Sequence, residues 1–148
     1  MAPPRPGLAL VSLIVPSYNE AITFFTTKLN FTLTEDSPST SSNTGEPKRW
    51  VVVHPPNSSD CGILLAQADA QEQKAMIGKQ WAGRVGLFLR VEDFKGHYMK
   101  VMDGGVEFLG QPREEMYGRV VVFRDPWGNK WDLLGSSLVT EAASKHES

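Results

Sequence analysis

The strongest constraint on the fold is an internal repeat, because the order of predicted elements in the first half of the chain recurs in the second half. Each half begins with an apolar strand, and these two strands end at Val15 and Val91, 76 residues apart. Each strand leads into an amphipathic helix, and the residues that stop the two helices, Asn30 and Gly105, are 75 residues apart. Three further strands follow each helix. The equal spacing indicates a duplicated βαβββ module.

Local signals set the boundaries of these elements. Ser17 and Glu20 have the spacing of a capping box at the start of the first helix, and Asp93 is the expected N-cap of the second. The polar stretch Asp36–Lys48 is rich in turn-forming residues and predicts a loop. Asp125–Asn129 contains Pro, Gly and Asn, which predicts a hairpin turn before the last strand.

The repeat predicts an α+β fold in which two tandem modules form a curved mixed sheet around a cavity. A single helix covers one face of each sheet, so the other faces must meet or enclose a space where chemistry would reside. The predicted boundaries are a flexible N-terminus at 1–7, one domain at 8–135 with module one at 8–66, a connecting helix at 68–79 and module two at 84–135, and a flexible C-terminal tail at 136–148.

Composition excludes several classes of partner. The chain has 148 residues and a net charge of −2, which leaves no basic field to hold nucleic acid. Its single cysteine excludes an internal disulfide and a zinc site that needs several thiolates. The apolar run Leu8–Val15 is too short to span a bilayer and is interpreted as a buried strand. We therefore expect a cytoplasmic protein without nucleic-acid or membrane partners.

Two segments resemble a known family. The opening Val15–Ala21 (VPSYNEA) with Leu29–Phe31, and the closing Phe123–Leu133 (FRDPWGNKWDL), resemble the vicinal oxygen chelate superfamily. This group contains glyoxalase I, bleomycin-resistance proteins and extradiol dioxygenases. More narrowly, Tyr117–Phe123 resembles a glyoxalase/bleomycin-resistance-like subgroup. The resemblance covers residues 8–135 and implies the paired βαβββ fold and a homodimer.

The resemblance also implies where a metal would be bound. In metal-dependent members, His, Glu or Gln ligands project from the first and last strands of each module. The equivalent positions in this chain are Leu10, Leu64, Gly86 and Asp132. Leucine and glycine donate no lone pair, and one carboxylate is too few because metal sites supply three or more ligands. We therefore predict no metal at this position and no cofactor.

A divalent metal elsewhere is disfavoured but stays open as an alternative. His54 ends a strand that could line the cavity, whereas His97 lies on the second helix and His146 in the tail. The last two are interpreted as residues outside any site. The side chains that could form a relocated metal site are His54, Asp132 and Glu114 or Glu115.

Strand alternation predicts the lining of the cavity. Side chains two residues apart point the same way, so Ser12 and Ile14 share the face of Leu10. In the second module the same rule assigns Val85 to the helix-covered face. For the third strand, Trp50–His54, the sequence leaves the inward face open. The predicted substrate-binding residues are Leu10, Ser12, Ile14, Trp50, Val52, Gly86, Phe88, Arg90, Tyr117 and Lys130.

Asp132 is the polar residue with the clearest chemical potential. In an apolar cavity its pKa would rise, which suits a general acid or base at neutral pH, with His54 as a second catalytic candidate. Its structural alternative is an ion pair with Arg90 or Arg119.

Two function hypotheses follow. The first is metal-independent binding of a small organic molecule, partly aromatic or apolar, as in bleomycin-resistance proteins. The alternative is a lyase or isomerase that uses Asp132 for acid–base chemistry. Glyoxalase I activity is disfavoured because its enediolate is stabilised by a metal whose ligand positions are changed here.

Overall fold

A computed structural model describes residues 3, 5–42 and 44–138 of the chain. His146 and most of the predicted C-terminal tail lie outside these residues. The chain divides into two compact units, Met1–Ile77 and Gly78–Ser148, and each contains one mixed sheet and its own helix. The predicted α+β class is confirmed. Within the described residues, no helix has the length and apolar character needed to cross a membrane.

The first unit contains a four-stranded sheet in the order β1-β4-β3-β2, with β1 parallel to β4 and the other pairs antiparallel. Its elements are β1 (Leu10–Val15), α1 (Tyr18–Thr23), a π-helical turn (Phe24–Lys28), β2 (Thr32–Thr40), β3 (Pro47–His54), β4 (Gly62–Gln67) and α2 (Gln71–Ala75). The Ser17 hydroxyl accepts a hydrogen bond from the Glu20 N–H (3.3 Å), which confirms the predicted N-cap. Asn30 has a φ of 59° and ends the helical segment in the left-handed region, as predicted.

The predicted loop over Asp36–Lys48 is wrong, because β2 continues to Thr40 and β3 already begins at Pro47. The extended hairpin lies at the sheet edge, where strand side chains can stay polar and exposed, so it lacks the apolar alternation that marks a buried strand. The Arg49 guanidinium also donates to both carboxylate oxygens of Asp36, at 3.1 and 2.7 Å, across the two strands.

The connecting helix is shorter than predicted. It covers Gln71–Ala75 rather than the whole of 68–79. Gly78 has a φ of +75°, a conformation that does not continue a right-handed helix. A side chain at this position would also overlap the carbonyl oxygen of Trp127.

The second unit repeats the arrangement with one additional short strand. Its elements are β5 (Val85–Arg90), α3 (Phe94–Asp103), β6 (Glu107–Phe108), β7 (Arg113–Glu115), β8 (Gly118–Arg124) and β9 (Lys130–Gly135). The strand order is β5-β9-β8-β6, with β5 parallel to β9, and β7 pairs with β8. Asp93 caps α3 by accepting from the Gly96 N–H at 3.0 Å, as predicted. The sequence pattern does not predict β7.

The hairpin turn before β9 is organised by one buried carboxylate. Asp125 Oδ1 accepts hydrogen bonds from the backbone N–H groups of Trp127 (3.1 Å) and Asn129 (2.9 Å). Its Oδ2 accepts from the Asn129 side-chain amide (3.0 Å) and the Trp131 indole N–H (3.2 Å). Gly128 takes a φ of +106° between them. The carboxylate therefore fixes both the turn and the first buried side chain of β9.

We expect Asp125→Ala to lower the free energy of unfolding by about 3 kcal/mol, because four donors in a buried turn lose their acceptor. Asp103→Ala is the matched control, since Asp103 is exposed at the end of α3. This control should change stability by less than about 0.5 kcal/mol. Urea unfolding followed by circular dichroism measures both values. Equal losses in the two variants would contradict the role given to Asp125.

Candidate ligand-binding site

Each sheet has one face packed against its helix, which we call the helix face, and a second face, which we call the open face. In the first unit, the Arg49 N–H donates to the Tyr18 hydroxyl (3.4 Å), and the Arg49 guanidinium lies 5.2 Å from the centroid of that ring. Odd-numbered residues of β3 therefore face α1, and Val51 and Val53 are fully buried. Trp50, which alternates with them, lies on the open face.

The strand register places the predicted residues of the first unit on this open face. Ser12 lies opposite Leu64, and Leu64 lies opposite Val52. Because directly paired residues share a face of the sheet, the Leu10, Ser12 and Ile14 face of β1 is also the Trp50, Val52 and His54 face of β3. This resolves the orientation of the third strand.

The open-face residues of the first unit line two separate concavities. A cavity of about 380 Å³ has an apolar wall that includes the open-face residues Ile14, Trp50, Leu64 and Ala66. Tyr18 and Arg49, from the helix face, also line this cavity. This volume lies within the range of pockets that hold drug-sized ligands. A larger and more polar concavity of about 1000 Å³ includes Leu10, Val52, His54 and Cys61.

The Trp50 indole is oriented by a hydrogen bond to a neighbouring strand. Its Nε1 donates a hydrogen bond to Glu35 Oε2 at 3.0 Å. The side chain is nevertheless 39% exposed, so part of its ring remains accessible. An oriented, accessible indole is a suitable platform for another aromatic ring.

His54 is held by two neighbours. Its Nδ1 lies 2.9 Å from Thr34 Oγ1, and this hydroxyl is also 3.2 Å from the carbonyl oxygen of Val52, to which it donates. The imidazole lies over Gly62, where a Cβ atom would approach Cε1 and Nε2 to 2.8 Å. The absence of a side chain at Gly62 therefore makes room for the ring.

The second unit shows the same division into two faces. The Arg119 guanidinium lies 4.8 Å from the centroid of the Phe94 ring on α3, and Phe94 packs directly onto Gly135. Odd-numbered residues of β8 and β9 therefore form the helix face, and Asp132 lies on the open face. Phe88 pairs with Asp132 and is 63% exposed.

The residues paired alongside extend this open face. Arg90 lies opposite Leu134, and Lys130 alternates with Asp132 on the same strand. The predicted face of Val85 is wrong. Val85 pairs with Lys130 and therefore lies on the open face, not on the helix-covered face. A bulge between Val85 and Leu87 breaks the alternation on which that prediction depended.

Asp132 is a buried carboxylate with an unsatisfied oxygen. The residue is 6% exposed, and its Oδ1 has no hydrogen-bond partner among the described residues. Burial raises the pKa of Asp132, and the positive charge of Arg113 partly opposes that rise. The side chain can therefore offer a proton or accept a hydrogen bond from a ligand.

The predicted ion pairs of Asp132 are wrong. Arg119 points to the helix face, where its Nε donates to the Ser136 carbonyl oxygen at 2.9 Å. In the described part of the chain, Asp132 also forms no ion pair with Arg90. The neighbouring cation is instead Arg113, on the strand that the sequence pattern does not predict.

Gly86 is the predicted ligand position of the second module. The indole ring of Trp81 packs over it. A Cβ atom at this position would overlap the Trp81 indole, including Cδ2, Cε3 and Cε2. Counted back from Phe88, Gly86 lies on the open face. Sequence alternation selected Gly86 but missed Trp81, because Trp81 lies outside the strand.

The remaining candidates lie at the edges of the second unit. Tyr117 is 58% exposed in the turn between β7 and β8. Glu114 accepts a hydrogen bond from the Leu138 N–H (2.8 Å), and Glu115 pairs with Arg113 at the same distance. His97 is half-buried on α3, and burial lowers its pKa.

The residues present do not fit the metal site of metal-dependent family members. Leu10 and Leu64 carry no donor atom, and the Gly86 position is filled by an indole. Asp132 is the remaining donor of the four positions. Within residues 3, 5–42 and 44–138, no group of three or more His, Cys, Asp or Glu side chains could hold a metal ion. The relocated site finds no support in this geometry.

Two mixed sheets, each with one helix face and one open face, define a class of α+β domains built from paired βαβββ units. Residues 7–133 match the family model for this class, and the chain belongs to the glyoxalase/bleomycin resistance protein/dioxygenase superfamily. An uncharacterized protein from Shewanella frigidimarina is 45% identical over 130 residues, which cover 88% of this chain and 93% of that protein.

Solved structures show the same similarity. UcmS2 has a TM-score of 0.70 and 26% identity, covering 88% of this chain and 98% of its own. TnmS3, an antibiotic-binding protein from Streptomyces sp. CB03234, has a TM-score of 0.69 and 25% identity, covering 90% of this chain and 98% of its own.

We expect Asp132→Asn to change the pH dependence of stability. The ordinary pKa of this carboxyl is 3.8, and burial raises it in the folded state. The native protein therefore loses stability relative to the Asn variant as the pH rises from about 4 through the folded pKa. One proton limits this relative change to about 1.4 kcal/mol per pH unit.

Chemical unfolding at pH 4 to 8 measures the difference between the native protein and the variant. Asp103→Asn serves as the control for loss of one charge, because Asp103 is exposed on α3. A stability difference for Asp132→Asn that stays constant with pH, or that favours the native protein increasingly at high pH, would contradict the assignment.

Proposed function

We propose that the open face of each unit is a binding surface for planar, largely apolar small molecules, without a metal. One observation carries the proposal: of the four family ligand positions only Asp132 bears a donor, while accessible aromatic side chains lie on the same faces. Trp50 provides such a side chain in the first unit, and Phe88 in the second. This is binding chemistry rather than Lewis-acid chemistry.

The first unit supplies the apolar contact. The cavity of about 380 Å³ combines the oriented Trp50 indole with the aliphatic side chains of Ile14 and Leu64. Burying a flat aromatic surface there releases water from both partners, and ring stacking adds about 0.5–1.5 kcal/mol beyond the buried area. Planar ligands gain most from such a wall because their whole face makes contact.

The open face of the second unit carries a polar group of its own. Asp132 Oδ1 is buried and lacks a partner among the described residues, and Phe88 is its direct neighbour on β5. A ligand hydroxyl or amine that donates to this oxygen would satisfy it. Within the second unit, Asp132 and Phe88 therefore suit a ligand that carries a hydrogen-bond donor on an aromatic ring.

The antibiotic-binding activity named for TnmS3 supports this proposal, since that protein covers 90% of the chain. A homodimer and a cytoplasmic location belong to the same proposal, following the family resemblance. Light scattering at micromolar concentration checks the assembly, and a monomeric mass would contradict that part.

The binding proposal is tested with 9-aminoacridine, a planar fluorescent amine, by fluorescence anisotropy. We expect saturable binding that survives dialysis against EDTA. Trp50→Ala should weaken binding about tenfold, because it removes the aromatic wall. Met76→Ala is the matched control, since Met76 has the same 39% exposure as Trp50 but does not line the cavity.

Different results would refute the binding proposal and the assignment of the cavity wall. Absence of binding to the native protein, or loss of binding after EDTA that added metal restores, would refute the proposal. Equal affinities of the Trp50 and Met76 variants would refute the assignment of the cavity wall.

The polar contact is tested by comparing 9-aminoacridine with acridine, which lacks the amino group. We expect the native protein to bind 9-aminoacridine about tenfold more tightly, and Asp132→Asn to remove most of that preference, because a hydrogen bond to a charged group contributes about 1.5–3 kcal/mol. Glu115→Gln is the control, because Glu115 is an exposed carboxylate paired with Arg113. A preference that persists in Asp132→Asn would exclude Asp132 as the anchor.

A lyase or isomerase is the second candidate, and the burial of Asp132 with its raised pKa favours it. An acid–base enzyme would lose turnover in Asp132→Asn while keeping affinity for its substrate. A binding protein would lose affinity and have no turnover to lose. Incubation with small carbonyl and epoxide compounds, followed by mass spectrometry for isomerised or cleaved products, distinguishes the two.

A further inference from the structure

We propose that Trp81 is a specificity-determining residue, whose indole fills the family's metal-ligand position at Gly86 and presents an aromatic surface to the ligand. This inference rests on the binding function proposed above. It names an aromatic contact of the second unit that lies outside the strands.

Trp81 packs directly against Gly86. A Cβ atom at Gly86 would overlap three atoms of the indole, so no side chain fits at Gly86 while Trp81 keeps this position. Any ligating residue at position 86 would have to displace the ring. The indole therefore takes the space from which a metal ligand would project.

The turn that follows Trp81 holds the ring in place. The Arg84 N–H donates to the Trp81 carbonyl oxygen at 3.0 Å, and Ala82 and Gly83 between them have φ values of +53° and +84°. A positive φ is natural for glycine, but it is unfavourable for alanine. A tight turn that keeps an alanine in this conformation directs the chain, and with it the indole, back onto β5.

The Trp81 side chain is half-buried, so its contact with Gly86 leaves part of the ring accessible. Phe88 lies two residues beyond Gly86 on the same face and is 63% exposed. The Trp81 indole over Gly86 and the Phe88 ring on the same strand are two partly accessible aromatic groups suited to a flat ring system. The electron-rich indole face also favours a ligand with cationic character.

The packing of the Trp81 indole over Gly86 is tested without any ligand. We expect Gly86→Ala to lower the melting temperature by several degrees in the native background, because the new methyl group overlaps the indole. In a Trp81→Ala background the same substitution should lower it by less than half as much. Gly7→Ala is the control, since nothing lies within 4 Å of its Cβ position. An equal fall in melting temperature in both backgrounds would refute the contact between Trp81 and Gly86.

The ligand contact is tested with 9-aminoacridine as the probe. We expect Trp81→Ala to weaken binding about tenfold and Trp81→Phe to restore most of the affinity, because phenylalanine keeps an aromatic face. Circular dichroism and the melting temperature check that each variant folds. Met99→Ala, which removes an exposed side chain from α3, is the control.

The results distinguish this inference from the function on which it rests. If Trp50→Ala weakens binding and Trp81→Ala does not, the Trp81 contact is refuted and the binding function stands. If Trp81→Phe binds as weakly as Trp81→Ala, an aromatic contact is refuted. If the native protein does not bind the probe at all, both proposals fail, whatever the melting temperatures show.

Discussion

The packing of one sheet face against one helix is the constraint on which the rest of the structure depends. In a β-strand, neighbouring side chains point to opposite faces, so burying one set under a helix determines the direction of the other. In the first unit, Arg49 and Tyr18 mark the buried direction, and Trp50 therefore points away from α1. In the second unit, Phe94 against Gly135 has the same effect for Asp132. Every candidate binding residue on the sheets takes its direction from this packing.

The sequence predicted this division well wherever the strands are regular. The capping residues Ser17 and Asp93 and the left-handed Asn30 were identifiable because their signals are local. The grouping of Leu10, Ser12 and Ile14 followed from alternation alone, and the register supports it. The orientation of the third strand could not be predicted, since it depends on which strand pairs with which.

The wrong predictions have physical causes that the alternation of side chains along a strand does not reveal. The hairpin over Asp36–Lys48 is an edge structure held by backbone pairing and by the Asp36–Arg49 ion pair, so its strands need no apolar face. Val85 was placed on the wrong face because a bulge adds one residue to β5. Arg113 and Trp81 were missed because a three-residue strand and a tight turn bring them to the site. Such contacts depend on tertiary structure rather than on a periodic pattern.

The contact between Trp81 and Gly86 illustrates how an aromatic side chain can occupy the space of a side chain on a strand without a change of fold. A glycine at a ligand position removes a donor and also leaves a gap, and protein interiors tolerate gaps poorly. Trp81 fills the gap with a large aromatic side chain, and no bulkier residue at position 86 is compatible with it. Restoring a ligand there would therefore require two coordinated substitutions, one at each position. The same steric coupling that excludes a donor at position 86 holds an indole against β5, the strand that also carries Phe88.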